Sequence, residues 1–327
     1  MRLSIRLVLA RVLSVGGITL ALACGGSNKD AVTAHGGSEL SAEQIDADAI
    51  ALLPGSAVAI ASVDAKAFFA SPSLGPTVAK LIEQYFPIGE EAGFKPSRDV
   101  DSIVAATYSL QGVDVAAVLK GRFDAKKIAD AADKHTPMKS GGALVSSSYS
   151  GHTIYTLSNI GFTVMTEHTV IAGTEAGIHR ALDRVHDGKK ARDLTVWMVE
   201  TIETKGAAFG LAADFATQPI TSVALGNLPP QYVKGIKAIR LVGDFKDTGV
   251  QIAGSITYDT EDNANNGLSN AKQVTSLANL AAITGLVPRL ENLDLHTEKT
   301  SLQYKFSVDD SAVSNLLQNL PQLIKGQ

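Results

Sequence analysis

Cysteine, histidine and the aromatic residues are all scarce in this chain of 327 residues. Its one cysteine, Cys24, excludes an internal disulfide and any metal site built from several cysteines. The seven histidines are scattered, and aromatic residues make up only 6% of the chain. Hydrophobic residues make up 45%, which is ordinary for a globular protein, so stability has to come from packing. The length suffices for two modest domains or one large one.

The chain also lacks an excess of positive charge. Its formal net charge is −4, and removal of residues 1–23 with their three arginines would take it to −7. A mildly acidic protein has no basic field with which to attract nucleic acid or anionic lipid, so we expect no nucleic-acid partner. No P-loop, G-x-G-x-x-G, H-E-x-x-H or G-x-S-x-G motif is present. We therefore predict no cofactor and no enzymatic activity.

The first 23 residues are typical of a secretory signal. Arg2, Arg6 and Arg11 make a basic opening, and an apolar stretch from Val12 to Ala23 ends in small residues. This stretch is too short for a comfortable membrane span. We predict that residues 1–23 are a signal peptide and that the protein is exported.

Cys24 follows directly after this apolar stretch, and the segment resembles the signal peptides of bacterial lipoproteins. Ala23 fits the small residue that precedes the modified cysteine, whereas Ala21 differs from the usual leucine. The resemblance implies lipidation of Cys24, which would attach the protein to a membrane. Gly25 is not the aspartate that retains many lipoproteins at the inner membrane, so we expect the outer membrane in a cell that has one. The alternative is an ordinary secretory signal cut near Ala23, with Cys24 an incidental thiol.

Residues 24–40 are small and polar and predict a flexible tether of roughly 20 Å. Beyond the tether, the pattern of elements predicts a first α+β half over residues 41–188, a connecting helix within 189–205 and a second α+β half over 206–327. The predicted strands of the first half are Ser56–Val63, Ser102–Ser109, Val113–Lys120 and four short strands within Ala143–Gly173. Its predicted helices are Leu74–Phe86, Ala125–Lys134 and Glu175–His186.

The predicted elements of the second half occur in a similar order. The strands are Ala207–Ala213, Ala238–Phe245, Val250–Tyr258 and two within Leu290–Val308, and the helices are Asp262–Ile283 and Ser311–Ile324. Residues 112–117 (GVDVAA) match 249–254 (GVQIAG), and an aromatic–aspartate pair follows each strand, Phe123-Asp124 and Tyr258-Asp259. We predict two related halves of mixed, mostly antiparallel sheet with helices on one face, and one extra hairpin in the first half. The alternative is two unrelated α+β domains with the same element order.

Two short motifs are similar to elements of penicillin-binding enzymes. Lys139-Ser140-Gly141 matches the K-S/T-G element, and residues 269–272 (SNAK) match S-x-x-K. Their order along the chain is reversed, and Ser269 falls inside a predicted helix rather than at its start. We interpret both matches as coincidence.

Two groups of polar residues have spacings that metal sites use. Glu175, His179, Asp183 and His186 lie on one side of a predicted helix, where they would form either a divalent-metal site or a solvated face, and we favour the solvated face. Asp259, Glu261 and Asn263 are similar to part of a calcium loop, but the glycine and the closing glutamate are missing. Helix capping by Asp259 is the simpler explanation.

The signal, the polar tether, the stretch 52–65 (LLPGSAVAIASVDA) and the strand–Gly–strand–Phe–Asp–helix pattern together resemble a group of uncharacterised bacterial envelope lipoproteins. This resemblance implies a location in the cell envelope and supplies no catalytic residues. We therefore expect a non-catalytic binding or scaffolding protein with an apolar small molecule or a protein as partner, and with a groove between the halves as its site. The alternative is an exported hydrolase, for which a deep pocket with convergent polar groups would be required.

Overall fold

The computed structural model describes residues 38–309, apart from 73, 78, 81–88, 111–113, 139–141, 158–159, 221–228, 247–248 and 283–288. The predicted signal peptide, Cys24, most of the tether, Lys139-Ser140-Gly141, helix Ser311–Ile324 and most of helix Leu74–Phe86 lie outside the described residues. Residues 75–77 and 79–80 of that last segment are helical.

The described residues form one twelve-stranded sheet in which neighbouring strands are antiparallel. The strands are β1 (Ala59–Asp64), β2 (Val100–Thr107), β3 (Val115–Gly121), β4 (Val145–Tyr149), β5 (His152–Leu157), β6 (Ile160–Val164), β7 (Thr169–Gly173), β8 (Phe209–Asp214), β9 (Ile236–Lys246), β10 (Gly249–Tyr258), β11 (Leu290–Glu298) and β12 (Ser301–Asp309).

The order of the strands is the same on both sides of the centre of the sheet. From the central pair outward, one side runs β1-β2-β3-β7-β6-β5-β4 and the other runs β8-β9-β10-β12-β11. The first half therefore continues by one hairpin, β4–β5, beyond the last described strand of the second half. The predicted strands Val113–Lys120 and Val250–Tyr258 correspond to β3 and β10, which occupy equivalent places. This order is what the duplication hypothesis requires, while common ancestry stays a hypothesis.

The helices are mostly short. They are α1 (Ala42–Ala47), α2 (Ala65–Ala70), α3 (Pro96–Asp99), α4 (Ala125–Asp133), α5 (Glu175–His186), α6 (Val196–Ile202) and α7 (Glu261–Ala282), with 3-10 turns at Ile50–Leu52, Glu90–Ala92 and Pro230–Tyr232. None of the helices in the described part of the chain has both the length and the hydropathy needed to cross a membrane.

Helices cover both faces of the sheet, which differs from the predicted packing on one face, although the α+β class is confirmed. On face A, defined by Ile60 and Val118, the strands pack against α5 and α6. On face B, defined by Ile103 and Leu119, the first half packs against α4. In the second half, α7 packs on face B against Tyr258 and Leu302. The alternation of apolar residues predicts each strand but does not reveal that both of its faces are covered.

Small residues in β1 and β8 explain how closely α6 approaches the centre of the sheet. The hydroxyl of Ser62 donates a hydrogen bond of 2.9 Å to the carbonyl of Ile202 on face A. A Cβ atom at Gly210 would lie 2.9 Å from the Cα atom of the same Ile202. Larger side chains at these two positions would push α6 away from the sheet.

The sequence predicts the start of several helices through their capping residues. The carboxylate of Asp124 accepts the amide of Lys127 at 3.0 Å, and Ser41 and Gln44 form a capping box at α1. At α7 the prediction is wrong, because the hydroxyl of Thr260 accepts the amide of Asn263 at 3.2 Å. Asp259 instead accepts the side-chain amide of Asn263 at 2.7 Å.

Candidate binding cavity

An apolar cavity of about 730 Å³ lies on face B at the centre of the sheet, where the two halves meet. Side chains from six strands line it, namely Ala61 and Val63 of β1, Val100 and Ile103 of β2, Leu119 of β3, Phe209 and Leu211 of β8, Phe245 of β9 and Val250 of β10. Ala61 pairs with Leu211, and Val63 pairs with Phe209, across the junction of β1 and β8. Both halves of the chain therefore contribute to one site.

The wall of the cavity is formed by α2 and by the segments that follow it. Phe68 and Phe69 of α2, Leu74, Phe94 and Pro96 all line this side. The side chain of Asp64 caps α2 by accepting the amide of Ala67 at 2.9 Å. This cap fixes the direction in which the chain leaves β1, and it places both phenylalanines over the strands.

Three aromatic rings form a continuous row across the junction of the halves. The ring centroids of Phe68 and Phe245 are 5.0 Å apart, and those of Phe245 and Phe209 are 5.6 Å apart. Both distances are within the range in which aromatic pairs attract each other beyond simple burial. Phe68 belongs to α2, Phe245 to β9 and Phe209 to β8, so the row joins elements of both halves. All three side chains are only partly buried, because the cavity lies beside them.

No charged side chain is among the residues that line the cavity. Ser62 is the one lining residue with a polar side chain, and its hydroxyl is bound to Ile202 on face A. Two lysines that neighbour lining residues in the chain are paired: Lys66 lies 2.9 Å from Asp101, and Lys246 forms an ion pair with Asp244. The cavity therefore suits an apolar group and offers nothing with which to orient or attack a polar one.

A second cavity, of about 450 Å³, lies on face A of the second half and has a different character. Its lining includes Glu200, Asp294, Arg240, His296 and Lys305. The guanidinium of Arg240 stacks over the ring of Trp197, 4.7 Å from its centroid. Its lining therefore carries both acidic and basic side chains, unlike that of the apolar cavity.

The structure gives the serine of the S-x-x-K motif a local role. Ser269 lies inside α7, and its hydroxyl donates a hydrogen bond of 3.1 Å to the carbonyl of Asn265 in the preceding turn. The neighbouring Asn270 donates to the carbonyl of Gln231 at 3.2 Å. Lys139-Ser140-Gly141 lies outside the described residues.

The polar stripe on α5 forms surface contacts rather than a ligand cage. The ring of Tyr149 in β4 stacks on the ring of His179 with centroids 3.7 Å apart, and its hydroxyl donates to Asp183 at 3.0 Å. Nε2 of His179 lies 4.0 Å from the carboxylate of Glu175. Among the described residues, no three His, Cys, Asp or Glu side chains are placed to hold a metal ion. Tyr149 lies in β4, which belongs to the extra hairpin. The spacing of polar residues along α5 therefore does not predict its contact with this helix.

A polar cluster that the sequence does not reveal joins α1 to the sheet. The carboxylate of Asp46 accepts hydrogen bonds from the hydroxyls of Thr166 and Thr169, and Nζ of Lys120 lies 3.3 Å from it. Partial burial raises the pKa of Asp46, but these hydrogen bonds outweigh it and hold the pKa below the ordinary value of 3.8. Although Nζ of Lys120 lies 2.6 Å from the hydroxyl of Thr169, Thr169 is fully buried and no substrate can reach it. The cluster is a structural clamp.

The cavity residues themselves were missed by sequence reasoning, which predicted only a groove between the halves. Phenylalanines are few. Phe209 and Phe245 lie in predicted strands, and Phe68-Phe69 follow shortly after one, so all of them resemble ordinary core residues. What brings them together is the pairing of β1 with β8, which joins positions far apart in the chain. That pairing leaves no local sequence signal.

No model of a known protein family matches this chain, and no curated protein matches it by sequence. Solved structures do match it in three dimensions. Crystal form III of TP0453 superposes with a TM-score of 0.55 at 11% identity, covering 83% of this chain and 97% of TP0453. Crystal form IV gives a TM-score of 0.54 at 12% identity, with 84% and 98% covered. At this identity the likeness shows that the chain shares the mixed α+β fold of TP0453.

Proposed function

We propose that this chain is a non-catalytic, lipid-anchored protein of the cell envelope that binds an apolar molecule in the cavity between the two halves of its sheet. The observation that carries the proposal is the cavity of about 730 Å³ with its apolar lining. Its volume is in the range of small-molecule sites, and its place at a junction between two structural units is one where such sites are frequent.

The energetics of burial support an apolar ligand. Each methylene group that leaves water contributes roughly 0.8 kcal/mol, so a chain of about ten such groups offsets the cost of association. A polar group placed in the same cavity would lose its hydrogen bonds to water, because the lining side chains offer none in return. The affinity of the site should therefore increase with the apolar surface area of the ligand.

The envelope location rests on the sequence. The basic opening, the short apolar stretch and Cys24 support export and lipidation, and Gly25 supports the outer membrane in a cell that has two. Several acyl chains on Cys24 would hold the protein permanently at a membrane. The folded part that contains the cavity would then be tethered to the membrane whose lipids could supply its ligand.

Titration with a neutral fluorescent probe such as N-phenyl-1-naphthylamine tests the binding function. Residues 24–327 carrying Cys24→Ser would be used, so that neither the signal peptide nor an acyl group on Cys24 competes. We expect saturable binding that Leu211→Asn weakens at least tenfold, since Leu211 lines the cavity floor. Leu293→Asn is the matched control, because Leu293 is an exposed leucine of β11 outside the cavity. Equal binding by the two variants would contradict the proposal.

A further inference from the structure

We infer that the cavity holds one acyl chain at a time and recognises the chain rather than its head group. The ligand class would be single-chain lipids, such as fatty acids and lysophospholipids, with lipids that bury two chains excluded. This inference rests on the proposed binding of apolar molecules and adds to it the number of chains and the part of the ligand that is recognised.

The number of chains follows from the volume. A water-sized group such as a methylene occupies about 30 Å³, so a chain of about 16 carbons needs about 500 Å³. The cavity of about 730 Å³ accommodates one such chain and leaves about 230 Å³, less than half of what a second chain needs. Two chains would need about 1,000 Å³ on the same scale, which is more than the cavity provides.

The shape of the lining favours a flexible chain over a stack of planar rings. Phe68, Phe245 and Phe209 are already in contact with each other, so that no slot remains between neighbouring rings. A ligand has to lie along this aromatic row, across the junction of β1 and β8. An unbranched chain can follow such a row by adjusting its torsions.

The charges around the cavity indicate that the head group is not recognised. The lining contains no charged side chain, so a carboxylate or phosphate has to stay in solvent. Lys66 and Lys246, which neighbour lining residues in the chain, are already paired with Asp101 and Asp244. An acid and its uncharged ester should therefore bind alike.

Competition against the bound fluorescent probe tests this inference with hexadecanoic acid, its methyl ester, a C16 lysophosphatidylcholine and dipalmitoyl phosphatidylcholine, and native mass spectrometry counts the bound chains. The protein is residues 24–327 with Cys24→Ser. We expect the three single-chain ligands to bind within about threefold of each other and with a stoichiometry of one. The two-chain lipid should bind at least tenfold more weakly.

A cavity-filling variant provides the independent check. Ala61→Phe adds a ring to the cavity floor, so the preferred chain should become shorter by several carbons. Ala216→Phe, at an exposed position outside the cavity, should leave the preference unchanged. If Ala61→Phe fails to fold, as judged by its melting curve, Leu211→Phe tests the same point.

Two kinds of failure are distinguishable. If the probe does not bind at all, the proposed function is wrong, and the inference fails with it. If the probe binds but the two-chain lipid competes equally well, or the ester binds tenfold more weakly than the acid, only the inference is overturned.

Discussion

The ring of Phe68 in α2 contacts the ring of Phe245 in β9, with centroids 5.0 Å apart and an angle of 51° between the ring planes. The two residues belong to different halves of the chain and lie at the edge of the same cavity. This contact packs the cavity wall, which comes from the first half, against a strand of the second half. The contact therefore links the stability of the fold to the geometry of the site.

This contact predicts an energetic coupling between the two halves. A double-mutant cycle with Phe68→Ala and Phe245→Ala should give a coupling free energy of about 0.5–1.5 kcal/mol, as is usual for aromatic pairs. The measurement is the free energy of unfolding in urea for the wild type, both single variants and the double variant. Strict additivity of the single effects would show that the ring contact contributes no stability.

The ring of Phe209 packs directly over Gly243, so that the stability of the fold should depend on having no side chain at this position. A Cβ atom at this position would lie 2.0 Å from Cζ of Phe209, so that Gly243→Ala should destabilise the fold by about 1–3 kcal/mol. The three nearest atoms all belong to the ring of Phe209. The double variant with Phe209→Leu should therefore lose less stability than the sum of the single changes. If the double variant loses as much stability as the two single variants together, the methyl group added at position 243 does not clash with the ring of Phe209.

The clamp at Asp46 predicts a dependence of stability on pH. Because its folded-state pKa is lowered, the carboxylate stabilises the fold above the pKa of the unfolded chain, and this contribution is lost as the pH falls through the folded-state pKa. At pH 7, Asp46→Asn should reduce the free energy of unfolding by about 1.5 kcal/mol, since hydrogen bonds to an ionised group are lost. Below pH 4 the difference from the wild type should shrink.

The control for this experiment is Asp133→Asn, which changes an exposed carboxylate at the end of α4. Its effect should stay within about 0.5 kcal/mol, as for most surface substitutions. A difference between Asp46→Asn and the wild type that persists unchanged to pH 2 would mean that ionisation of Asp46 is not what stabilises the clamp.

The anchor gives two separable predictions. Cys24→Ser should abolish labelling by a fatty-acid analogue and leave an unprocessed or soluble protein, while Gly25→Asp should keep the lipid and shift the protein toward the inner membrane. Cell fractionation with metabolic labelling measures both. A Cys24→Ser protein that matures and stays at the membrane as before would refute lipidation, whereas an unshifted Gly25→Asp protein would refute only the sorting rule.

Local signals in the sequence predict most of the individual elements. The apolar stripe of Glu175–His186 predicts α5 with both ends correct, and the carboxylate of Asp124 caps α4 directly after Phe123. These features depend on residues within one or two turns of each other. The cap of α7 was assigned to Asp259 instead of Thr260, because both neighbouring side chains can accept the same amide.

The arrangement of the elements was less predictable, because it depends on contacts between distant positions. Pairing of Val63 with Phe209 joins the halves into one sheet, yet neither residue carries a signal for that partner. The coverage of both faces depends on where each helix docks, and the alternation within β2 does not specify this. Leu40 belongs to the predicted tether, yet it is buried in the core beside α5, and its amide donates a hydrogen bond to the carbonyl of Val185.

The cavity was expected only as a groove between the halves, because its lining residues look like core residues in the sequence. A phenylalanine is apolar whether it fills a core or borders an empty space. Phe68 and Phe209 border an empty space on face B, which Ala61 lines with a small side chain. Recognising that space requires the positions of all the lining strands and of α2 together.

Photolabelling tests the central claim, that the cavity binds an apolar ligand, most directly. A hexadecanoic acid with a diazirine on its chain would be irradiated with residues 24–327 carrying Cys24→Ser, and the adducts located by peptide mass spectrometry. The account predicts adducts on the segments that contain Phe68, Phe209 and Phe245, which unlabelled hexadecanoic acid suppresses. Adducts confined to exposed apolar residues such as Val274 and Leu277 of α7, with none at the cavity, would contradict it.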